Sequence, residues 1–313
     1  MKPILILNLG GTICMCPSES GLIPDSQVLP DFLNKHHQRL NFVYKEPFEL
    51  IDSSQANNVY WYQCAQYIMD NHNDYRGVII THGTDTMAYF ASSLRFYFAS
   101  TSLPIIITGS QLPLTQDGND AIANVQFAIK QIDDRLIQQM GIAIAFNNQL
   151  LQAEKTSKVD TQTFNGFAQN CTTAVLTQSI SALTMMRELN IKNIQLIWIH
   201  PSFDFNQLPT PQSGLIYIFK SYGAGNLPKH PKLEDFLLKA IQKNAVVINH
   251  SQCFYSEVDM NIYAAGNWLG NYNVLGAKNM TMEALMAKLH CIDTDDIKKL
   301  KTLLLTPFHY ELA

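Results

Sequence analysis

The sequence lacks the features that mark membrane, exported and nucleic-acid-binding proteins. Its apolar runs are far shorter than the roughly 18 residues that a membrane-spanning helix needs. The N-terminus, MKPILILNLGG, has no long apolar segment followed by a small-residue cleavage site, so we expect a first strand there and not a signal peptide. Charged residues make up only 15% of the chain, the net charge is -4, and Lys and Arg are scattered, which argues against a nucleic-acid surface.

Patterns for metal binding and for a disulfide framework are also missing. The six cysteines are spread along the chain, and Cys14 and Cys16 have one residue between them, which is not the spacing of a zinc site. Because no export signal is evident, we expect reduced thiols and a cytoplasmic location. We expect neither a metal nor another cofactor.

Spacing excludes two common kinds of enzyme site. The glycines of LNLGGTICM fit neither the G-x-G-x-x-G pattern of dinucleotide-binding proteins nor the P-loop, which ends in G-K-[ST]. The chain also has no G-x-S-x-G string, so a serine hydrolase with a nucleophile elbow is not indicated.

What the sequence does contain is the alternating pattern of an α/β protein. Its 313 residues, 47% of them hydrophobic, are enough for two domains. Three β-branched apolar runs, ILILNL, GVII and PIIIT, each end in a small-residue turn, and helical patterns at 59–72 and 87–100 separate them. This alternation predicts a mainly parallel sheet flanked by helices, with right-handed crossovers.

The pattern continues to the C-terminus and suggests where the domains divide. A helix at 120–134 and a strand at 141–146 extend the first domain, which we place at 1–180, before a linker at 181–192. A smaller C-terminal α/β domain at 193–313 follows. Its predicted elements are IQLIWIH, GLIYIFKSYGAGN, AVVIN and helices at 232–244, 281–291 and 295–305.

Side chains that carry chemistry follow the three N-terminal strands. Thr12 comes after the first strand, Thr84 and Asp85 after the second, and Ser110 after the third. Ligands bind beyond the carboxyl ends of parallel strands, and adjacent glycines can offer backbone N–H groups to an oxyanion. A structural explanation stands beside this one, since Thr84 or Asp85 would also suit the cap of a helix beginning near Met87.

Two motifs give the chain a resemblance to a known family. The strings NLGGTICM and GVIITHGTDTMAYFASSL resemble the two signatures of the bacterial-type L-asparaginases, and HGTDTMAY is similar to their cytoplasmic, type I branch. The resemblance continues through TGSQLPL and SYGAGN to MTMEALMAKL, so it covers nearly the whole chain. It implies a two-domain α/β amidohydrolase for L-asparagine, with L-glutamine as a second substrate to test, assembled as a homodimer or a dimer of dimers.

The resemblance also implies roles for catalytic residues. Thr12 matches the nucleophile that attacks the side-chain amide and forms an acyl-enzyme, while Thr84, Asp85 and Lys158 match a set that activates a nucleophile or a water. Lys158 fits the family pattern better than Lys155 does. A lysine acts as a base only when burial or nearby cations lower its pKa, and a carboxylate opposes this. Two roles therefore stay open: lysine as base, or lysine paired with Asp85 while Thr84 orients a water.

Substrate contacts are implied on short polar segments. The string IDSSQ matches the segment that binds the α-carboxylate, and Asp85 matches the partner of the α-ammonium group. The structural alternative is a polar loop after a strand at FELI. The implied substrate-binding residues of the first domain are Gly11, Asp52, Ser53, Ser54, Gly83 and Ser110.

The sequence departs from the family at one important position. A tyrosine usually follows the nucleophile in a mobile loop, but Leu22 occupies that place in GLIP, and leucine cannot relay a proton. Three alternatives follow: Tyr263 of a neighbouring subunit replaces it, the enzyme is weak, or the protein has kept only amino-acid binding. If the site is completed across a dimer interface, Asn226 and Glu257 would also approach the partner's substrate. A solvated loop carboxylate is the alternative for Glu257.

Three hypotheses about function follow. The first is asparagine hydrolysis by Thr12, and the second is a catalytically weak or silent relative that senses asparagine or aspartate. Ammonia release distinguishes the two. The third is the amidotransferase subunit that supplies ammonia for tRNA-linked glutamine synthesis, which normally has an extra N-terminal domain, whereas this sequence opens on its first strand.

Overall fold

The structure is a computed structural model that describes residues 1–19, 21–100, 103–170, 184–185, 189–292, 294, 296–309 and 311–312. The chain forms two compact units, Met1–Leu189 and Asn190–Ala313, and each has its own parallel sheet. No helix in the described ranges is long and apolar enough to cross a membrane.

The first unit is built on a six-stranded sheet in the order β4 (Phe42–Lys45), β1 (Ile4–Asn8), β5 (Gly77–Thr81), β7 (Ile105–Thr108), β8 (Ile142–Phe146) and β9 (Gln149–Gln152). Neighbouring strands are parallel except for β9, which runs antiparallel to β8. The strands β1, β5, β7 and β8 are buried along their whole length, as expected for a sheet covered on both faces. The strands of this unit are β1 (Ile4–Asn8), β2 (Met15–Ser18), β3 (Gly21–Pro24), β4 (Phe42–Lys45), β5 (Gly77–Thr81), β6 (Phe98–Ser100), β7 (Ile105–Thr108), β8 (Ile142–Phe146), β9 (Gln149–Gln152), β10 (Thr156–Lys158), β11 (Phe167–Gln169) and β12 (Thr184–Met185).

Helices pack their apolar stripes against this sheet. In one core cluster, Leu29 and Leu33 of the first helix pack with Ile4 and Ile6 of β1, and Val125 of the fourth helix belongs to the same cluster. Burying aliphatic side chains in this way is the main favourable term in folding. The helices of this unit are α1 (Val28–His36), α2 (Asn58–Asn71), α3 (Met87–Tyr97), α4 (Ala121–Gln131) and α5 (Arg135–Met140).

Three pairs of short antiparallel strands complete the first unit. The strands β2 and β3 form a hairpin just after Thr12, and β10 and β11 form a second hairpin just after Lys155. The third pair joins β6 to β12. The first hairpin contains Leu22, and the second contains Lys158.

The second unit has a four-stranded parallel sheet in the order β13 (Ile194–Trp198), β14 (Ile216–Ser221), β15 (Val246–Ser251) and β16 (Leu275–Gly276). Its helix α6 begins with a proline at its first turn, and the His230 side chain accepts from the N–H of Lys232, so both common start signals are present. The elements of this unit are β13 (Ile194–Trp198), β14 (Ile216–Ser221), α6 (Pro231–Gln242), β15 (Val246–Ser251), α7 (Ala264–Asn267), β16 (Leu275–Gly276), α8 (Met282–Cys291) and α9 (Ile297–Leu305).

The predicted fold class is confirmed, but two predicted elements are wrong in part. The helix expected at 87–100 ends at Tyr97, because Phe98–Ser100 pairs with Thr184–Met185 from far along the chain. The strand expected at FELI lies earlier, at Phe42–Lys45, and in FELI only Ile51 pairs, in an isolated bridge with Gly10. Much of the proposed linker at 181–192, together with Cys171, lies outside the described residues, so the domain boundaries stay predictions.

Candidate active site

Glycines bring the ends of β1 and β5 into direct contact. Gly10 and Gly11 have φ angles of 98° and 86°, the left-handed region that favours glycine. A Cβ atom on Gly11 would lie 2.3 Å from the backbone nitrogen of Gly83, and one on Gly83 would lie 2.5 Å from Ser53 Oγ. Only glycines therefore let these turns lie backbone against backbone at the carboxyl edge of the sheet.

A polar network below these glycines fixes the first turn. The Asn8 side-chain oxygen accepts from the N–H of Gly10 at 3.1 Å and from Thr81 Oγ1 at 2.7 Å. Its amide nitrogen donates to Tyr44 Oη at 2.9 Å and to Glu46 Oε1 at 2.8 Å. Asn8 is fully buried, so the network joins the ends of β1, β4 and β5 and holds the Gly10 backbone in place.

The histidine of the second motif has a structural position. His82 is buried, its Nδ1 donates to the Gly83 carbonyl at 2.8 Å, and its Nε2 accepts from the Trp61 indole N–H at 3.3 Å. The ring also stacks on Phe90, with centroids 4.8 Å apart. Burial lowers the pKa of His82 to about 4, so the ring is neutral near pH 7. Its hydrogen bond to the Gly83 carbonyl helps to hold that turn in place.

These turns surround a small cavity at the end of the sheet. Its volume of about 220 Å³ is below the roughly 300 Å³ at which pockets for drug-sized ligands begin, so it suits a ligand of amino-acid size. All four catalytic residues predicted in the first domain line it, as do four of the six predicted substrate-binding residues. The lining residues are Gly11, Thr12, Asp52, Ser53, Gly83, Thr84, Asp85, Gln111, Lys158 and Thr161.

Lys158 connects the two side chains of the second motif. Its Nζ donates to Thr84 Oγ1 at 2.8 Å and to Asp85 Oδ1 at 2.7 Å. Neither Thr84 nor Asp85 caps α3, whose N-cap is Thr86, and the Thr86 hydroxyl donates to the Ser53 carbonyl at 2.7 Å. The capping explanation for Thr84 and Asp85 is therefore wrong, because Lys158 from β10 binds both side chains.

Thr12 opens a 3₁₀ turn directly after Gly11, and its side chain is half-buried at the cavity. Its hydroxyl makes no hydrogen bond to any of the residues that the structure describes. The hairpin that follows presents Leu22 with 47% of its surface exposed, so the leucine offers the hydroxyl no polar contact. The Thr12 oxygen is thus free to meet a ligand.

The IDSSQ segment contributes two of its three predicted residues to the cavity. Asp52 caps a short 3₁₀ turn by accepting from the Ser54 N–H at 2.8 Å, and hydrogen bonds from Ser54 lower the pKa of the Asp52 carboxyl. Ser53 is buried and lines the cavity. Ser54 does not line it, so its side chain is not placed for a direct substrate contact.

The turn after β7 places glutamine, not serine, at the cavity. Ser110 is buried, and its hydroxyl donates to the Leu112 carbonyl at 2.5 Å, within its own turn. Its neighbour Gln111 lines the cavity, as does Thr161 from the β10–β11 hairpin. Sequence reasoning missed both residues. Gln111 stands next to Ser110 in the TGSQLPL string, so its position just after the strand was a possible signal for it.

The three remaining predicted residues belong to loops of the second unit. Asn226 closes a tight turn after β14, where its N–H donates to the Tyr222 carbonyl at 2.8 Å. Glu257 is exposed in the segment after β15, and Tyr263, 56% exposed, precedes α7. All three therefore follow the carboxyl ends of strands of the second sheet, and their roles stay predictions.

The described residues contain no evident metal site. Within the residues that the structure describes, no group of three or more His, Cys, Asp or Glu side chains is arranged to hold a metal ion. The cysteines at 14, 16, 64 and 253 are free thiols. Burial raises the pKa of Cys14 to about 12, so this thiol beside Thr12 is protonated and unreactive near pH 7.

Family models and known proteins match both units. The model described as Asparaginase, N-terminal matches residues 3–189, and the model described as Glutaminase/Asparaginase C-terminal domain matches residues 196–304. The chain is 32% identical to L-asparaginase 1 of Escherichia coli (strain K12), over 95% of each chain.

Solved structures agree with this match. L-asparaginase I from Vibrio cholerae has a TM-score of 0.83 and 27% identity, covering 100% of this chain and 99% of the other. The thermostable L-asparaginase from Thermococcus kodakarensis, with a TM-score of 0.82 and 21% identity over 99% of each chain, shows the same fold. This chain is therefore a member of the asparaginase family, as its sequence motifs predicted.

Proposed function

We propose that this enzyme hydrolyses L-asparagine to L-aspartate and ammonia through an acyl-enzyme on Thr12. One observation carries the proposal: Thr12, Thr84, Asp85 and Lys158 line one cavity of amino-acid size, bounded by glycine backbone. The Thr12 hydroxyl has no partner in the described structure and faces a space for ligand. A hydroxyl placed in this way is able to attack the amide carbon of a bound amino acid.

The reaction divides into two steps. In the first, Thr12 Oγ1 bonds to the side-chain carbonyl carbon, the hydroxyl proton passes to the departing amide nitrogen, and the carbon–nitrogen bond breaks to release ammonia. In the second, water attacks the resulting ester and frees aspartate together with the Thr12 hydroxyl. Backbone N–H groups at Gly11 and Gly83 are suited to stabilise the oxyanion of both steps.

The contacts of Lys158 favour one of the two roles considered for it. Lys158 Nζ pairs with the Asp85 carboxylate and donates to Thr84, and a neighbouring negative charge makes a lysine a poorer base because it opposes loss of the proton. Because Thr84 Oγ1 accepts from Lys158, the Thr84 hydroxyl proton is left to interact inside the cavity. We therefore assign Lys158 to hold Thr84 and Asp85, and Thr84 to orient the attacking hydroxyl or water.

Substrate recognition follows from the remaining lining groups. The Asp85 carboxylate is 64% exposed beside the cavity and suits the α-ammonium group of an amino acid. The Ser53 hydroxyl and nearby backbone N–H groups suit the α-carboxylate. Glutamine is the natural competing substrate, because one added methylene changes selectivity by only about 10- to 200-fold.

Ammonia release tests the nucleophile. The wild-type protein is assayed with L-asparagine and, separately, L-glutamine, beside Thr12→Ala and Thr12→Ser. We expect Thr12→Ala to lose at least about 10³-fold in kcat, with Tm preserved, and Thr12→Ser to keep measurable turnover. Thr12→Ala with near wild-type turnover overturns the assignment. Wild-type protein that binds asparagine in calorimetry but releases no ammonia is a sensor instead.

We also propose that the active form is a homodimer or a dimer of dimers in which Tyr263 of one copy serves the cavity of another. Two observations support this: Leu22 leaves the Thr12 hydroxyl without a tyrosine from its own loop, and Tyr263 is 56% exposed. In the same assembly, Asn226 and Glu257 are proposed to approach the neighbouring copy's substrate. Their loops follow the carboxyl ends of strands, where side chains are placed for recognition.

Mixing inactive subunits tests this assignment. Thr12→Ala and Tyr263→Phe are each expected to be nearly inactive alone. If the tyrosine comes from another copy, subunits unfolded together and refolded as a mixture regain activity, because some cavities then combine an intact Thr12 with an intact Tyr263. No regain in assemblies shown to be mixed, or full activity of Tyr263→Phe alone, contradicts the proposal.

We further propose a cytoplasmic location. The free thiols of Cys14, Cys16, Cys64 and Cys253 support it, because disulfides form in oxidising compartments and are rare in the cytosol. Cell fractionation with a tagged full-length chain tests the location, and recovery in the exported fraction contradicts it.

A further inference from the structure

We propose that Gln111 is a positioning residue, which ties the β10–β11 hairpin to the end of β7 and so sets the place of Lys158 and Thr161 at the cavity. The predicted effect of Gln111 on turnover depends on the proposed function. Its predicted effect on the hairpin depends on geometry alone.

Gln111 starts from a rigid base. Its backbone N–H lies 3.0 Å from both carboxylate oxygens of Asp120, and the next N–H, of Leu112, donates to the same carboxylate at 3.0 Å. Asp120 is buried at the start of α4, where Asn124 Nδ2 donates to it at 3.1 Å. A buried carboxylate with this many donors has little freedom to move, so the Gln111 backbone is held firmly.

The same base is joined to two neighbouring strands. Asn124 Nδ2 also donates to the Gly109 carbonyl at the end of β7, at 2.9 Å. Asn124 Oδ1 accepts from the N–H of Asn147, directly after β8, at 2.9 Å. Gln111 is thus anchored through α4 to the carboxyl ends of two strands of the main sheet.

From this base the Gln111 side chain reaches across to the hairpin. Its Nε2 donates to the carbonyl of Asp160 at 3.2 Å and to that of Thr163 at 3.3 Å. Gly166 leaves room for the amide, because a Cβ atom there would lie 2.9 Å from Gln111 Nε2. Both protons of one amide group therefore tie two points of the 159–166 loop to the end of β7.

The loop has few other ties to the rest of the chain. Residues 161–165 are exposed, and the loop's remaining described hydrogen bonds are mostly internal, such as Asp160 Oδ1 accepting from the N–H of Gln162 at 2.7 Å. Besides Gln111, the described side-chain donor that reaches this loop from outside the hairpin is Gln149, whose Nε2 lies 3.5 Å from Asn165 Oδ1. Gln111 is therefore the stronger of the two described side-chain links.

The link matters because the loop begins next to the catalytic set. Lys158 is the last residue of β10, and Thr161, three residues later, lines the same cavity. The N–H of Val159 donates to the Gly166 carbonyl at 2.8 Å, so displacement of the loop is transmitted to the strand end. A displacement of about 1 Å at a positioned group can cost on the order of 10²-fold in rate.

The experiment compares Gln111→Met with Gln149→Met, which removes the weaker link to the same loop. Hydrogen exchange of the 160–165 amides is read first, since it needs no turnover. We expect faster exchange in Gln111→Met only, with Tm lowered by no more than about 4 °C because only two partly exposed hydrogen bonds are lost. In turnover, kcat should fall about 10- to 100-fold while KM changes less than about threefold.

Gly166→Ala supplies the second arm, because its Cβ would displace the Gln111 amide while the glutamine remains. We expect Gly166→Ala to reproduce the faster exchange, and the double variant with Gln111→Met to show little further change, since both act through one contact. Unchanged exchange in Gln111→Met, or equal effects from Gln149→Met, overturns the inference. If the wild-type protein has no asparaginase activity, the proposed function is wrong. The hydrogen-exchange result then decides by itself whether Gln111 positions the hairpin.

Discussion

Lys158 Nζ lies 2.8 Å from Thr84 Oγ1, although 74 residues separate them in sequence. The lysine comes from the edge of a short hairpin, and the threonine follows a central strand of the sheet. The ammonium also pairs with Asp85 at 2.7 Å, and its side chain is only 15% exposed. Among the described residues that line the cavity, Lys158 is the only lysine or arginine, and this contact places it against the second motif.

Removing this cation is expected to separate activity from stability. Lys158→Met keeps the length of the side chain but leaves Thr84 and Asp85 without their donor, so kcat should fall by about 10²- to 10⁴-fold. Stability should change by no more than about 1 kcal/mol, because Asp85 is 64% exposed and such pairs are screened by solvent. Turnover and urea unfolding measure the two effects.

Lys130→Met is the matched control, because Lys130 is exposed on α4 and away from the cavity lining. It should leave both turnover and stability near wild type. Full turnover in Lys158→Met would contradict the role assigned to the Thr84–Lys158 contact.

The approach of Gly11 to Gly83 predicts a loss of folding stability. In Gly11→Ala, the methyl would meet the Gly83 backbone at 2.3 Å, and the φ angle of 86° is unfavourable for alanine. Left-handed strain costs about 1–2 kcal/mol and overpacking about 1–3 kcal/mol, so we expect a loss of at least about 2 kcal/mol. Gly118→Ala isolates the strain, because φ is 71° there and nothing lies within 4 Å.

Denaturant unfolding of both variants provides the measurement. Gly118→Ala should lose about 1–2 kcal/mol and retain turnover. If Gly11→Ala is no less stable than Gly118→Ala, the close approach of the two glycine turns is not as described.

His82 predicts how stability depends on pH. Its pKa is about 4 in the folded protein and 6.5 in the unfolded chain, because burial disfavours the charged ring. Between these values the unfolded chain binds a proton that the folded protein does not, so lowering the pH through this window destabilises the fold. Over about 2.5 pH units, one such group accounts for up to about 3 kcal/mol.

His82→Gln removes the titrating group and keeps a donor and an acceptor at the position. The difference in unfolding free energy between wild type and this variant should shrink as the pH falls from 7 to 4.5. A constant difference between wild type and His82→Gln across this range would show that His82 is not buried in its neutral form.

The parts of the fold that the sequence predicted well are those fixed by local pattern. The strand at Gly77–Thr81 is a run of buried β-branched residues, and α4 has regular apolar spacing, so both were predicted close to their observed bounds. The segment Phe98–Ser100 was predicted as helix because its apolar residues continue the pattern of α3. Its strand conformation comes from pairing with Thr184–Met185, which no local pattern reveals.

The same limit applies to the cavity. Residues that directly follow strands, such as Thr12 and Thr84, were identified from position and resemblance, and the structure brings them together. Ser110 and Gln111 are neighbours after one strand, and which of them faces the cavity depends on the turn: Ser110 bonds within it, while Asp120 holds the Gln111 backbone. That choice depends on a helix residue nine positions away, so the TGSQLPL string alone could not decide it.

A buried ion pair in the second unit supports the last prediction. Lys288 and Glu311 have no exposed side-chain surface, and Lys288 Nζ donates at 2.7 Å to Glu311 Oε1, to the Leu304 carbonyl and to the Thr306 carbonyl. Glu311 in turn accepts from the N–H groups of Phe308 and His309, each at 2.9 Å. The pair thereby fastens the residues after α9 onto α8.

Breaking one side of this pair should cost more than removing both. Lys288→Met leaves a buried carboxylate without its cation, and we expect a loss of about 3–5 kcal/mol at pH 7. The double variant with Glu311→Leu should recover part of that loss, because no unpaired charge remains buried. Urea unfolding of the single and double variants measures the coupling, and additive losses would show that the two charges do not depend on each other.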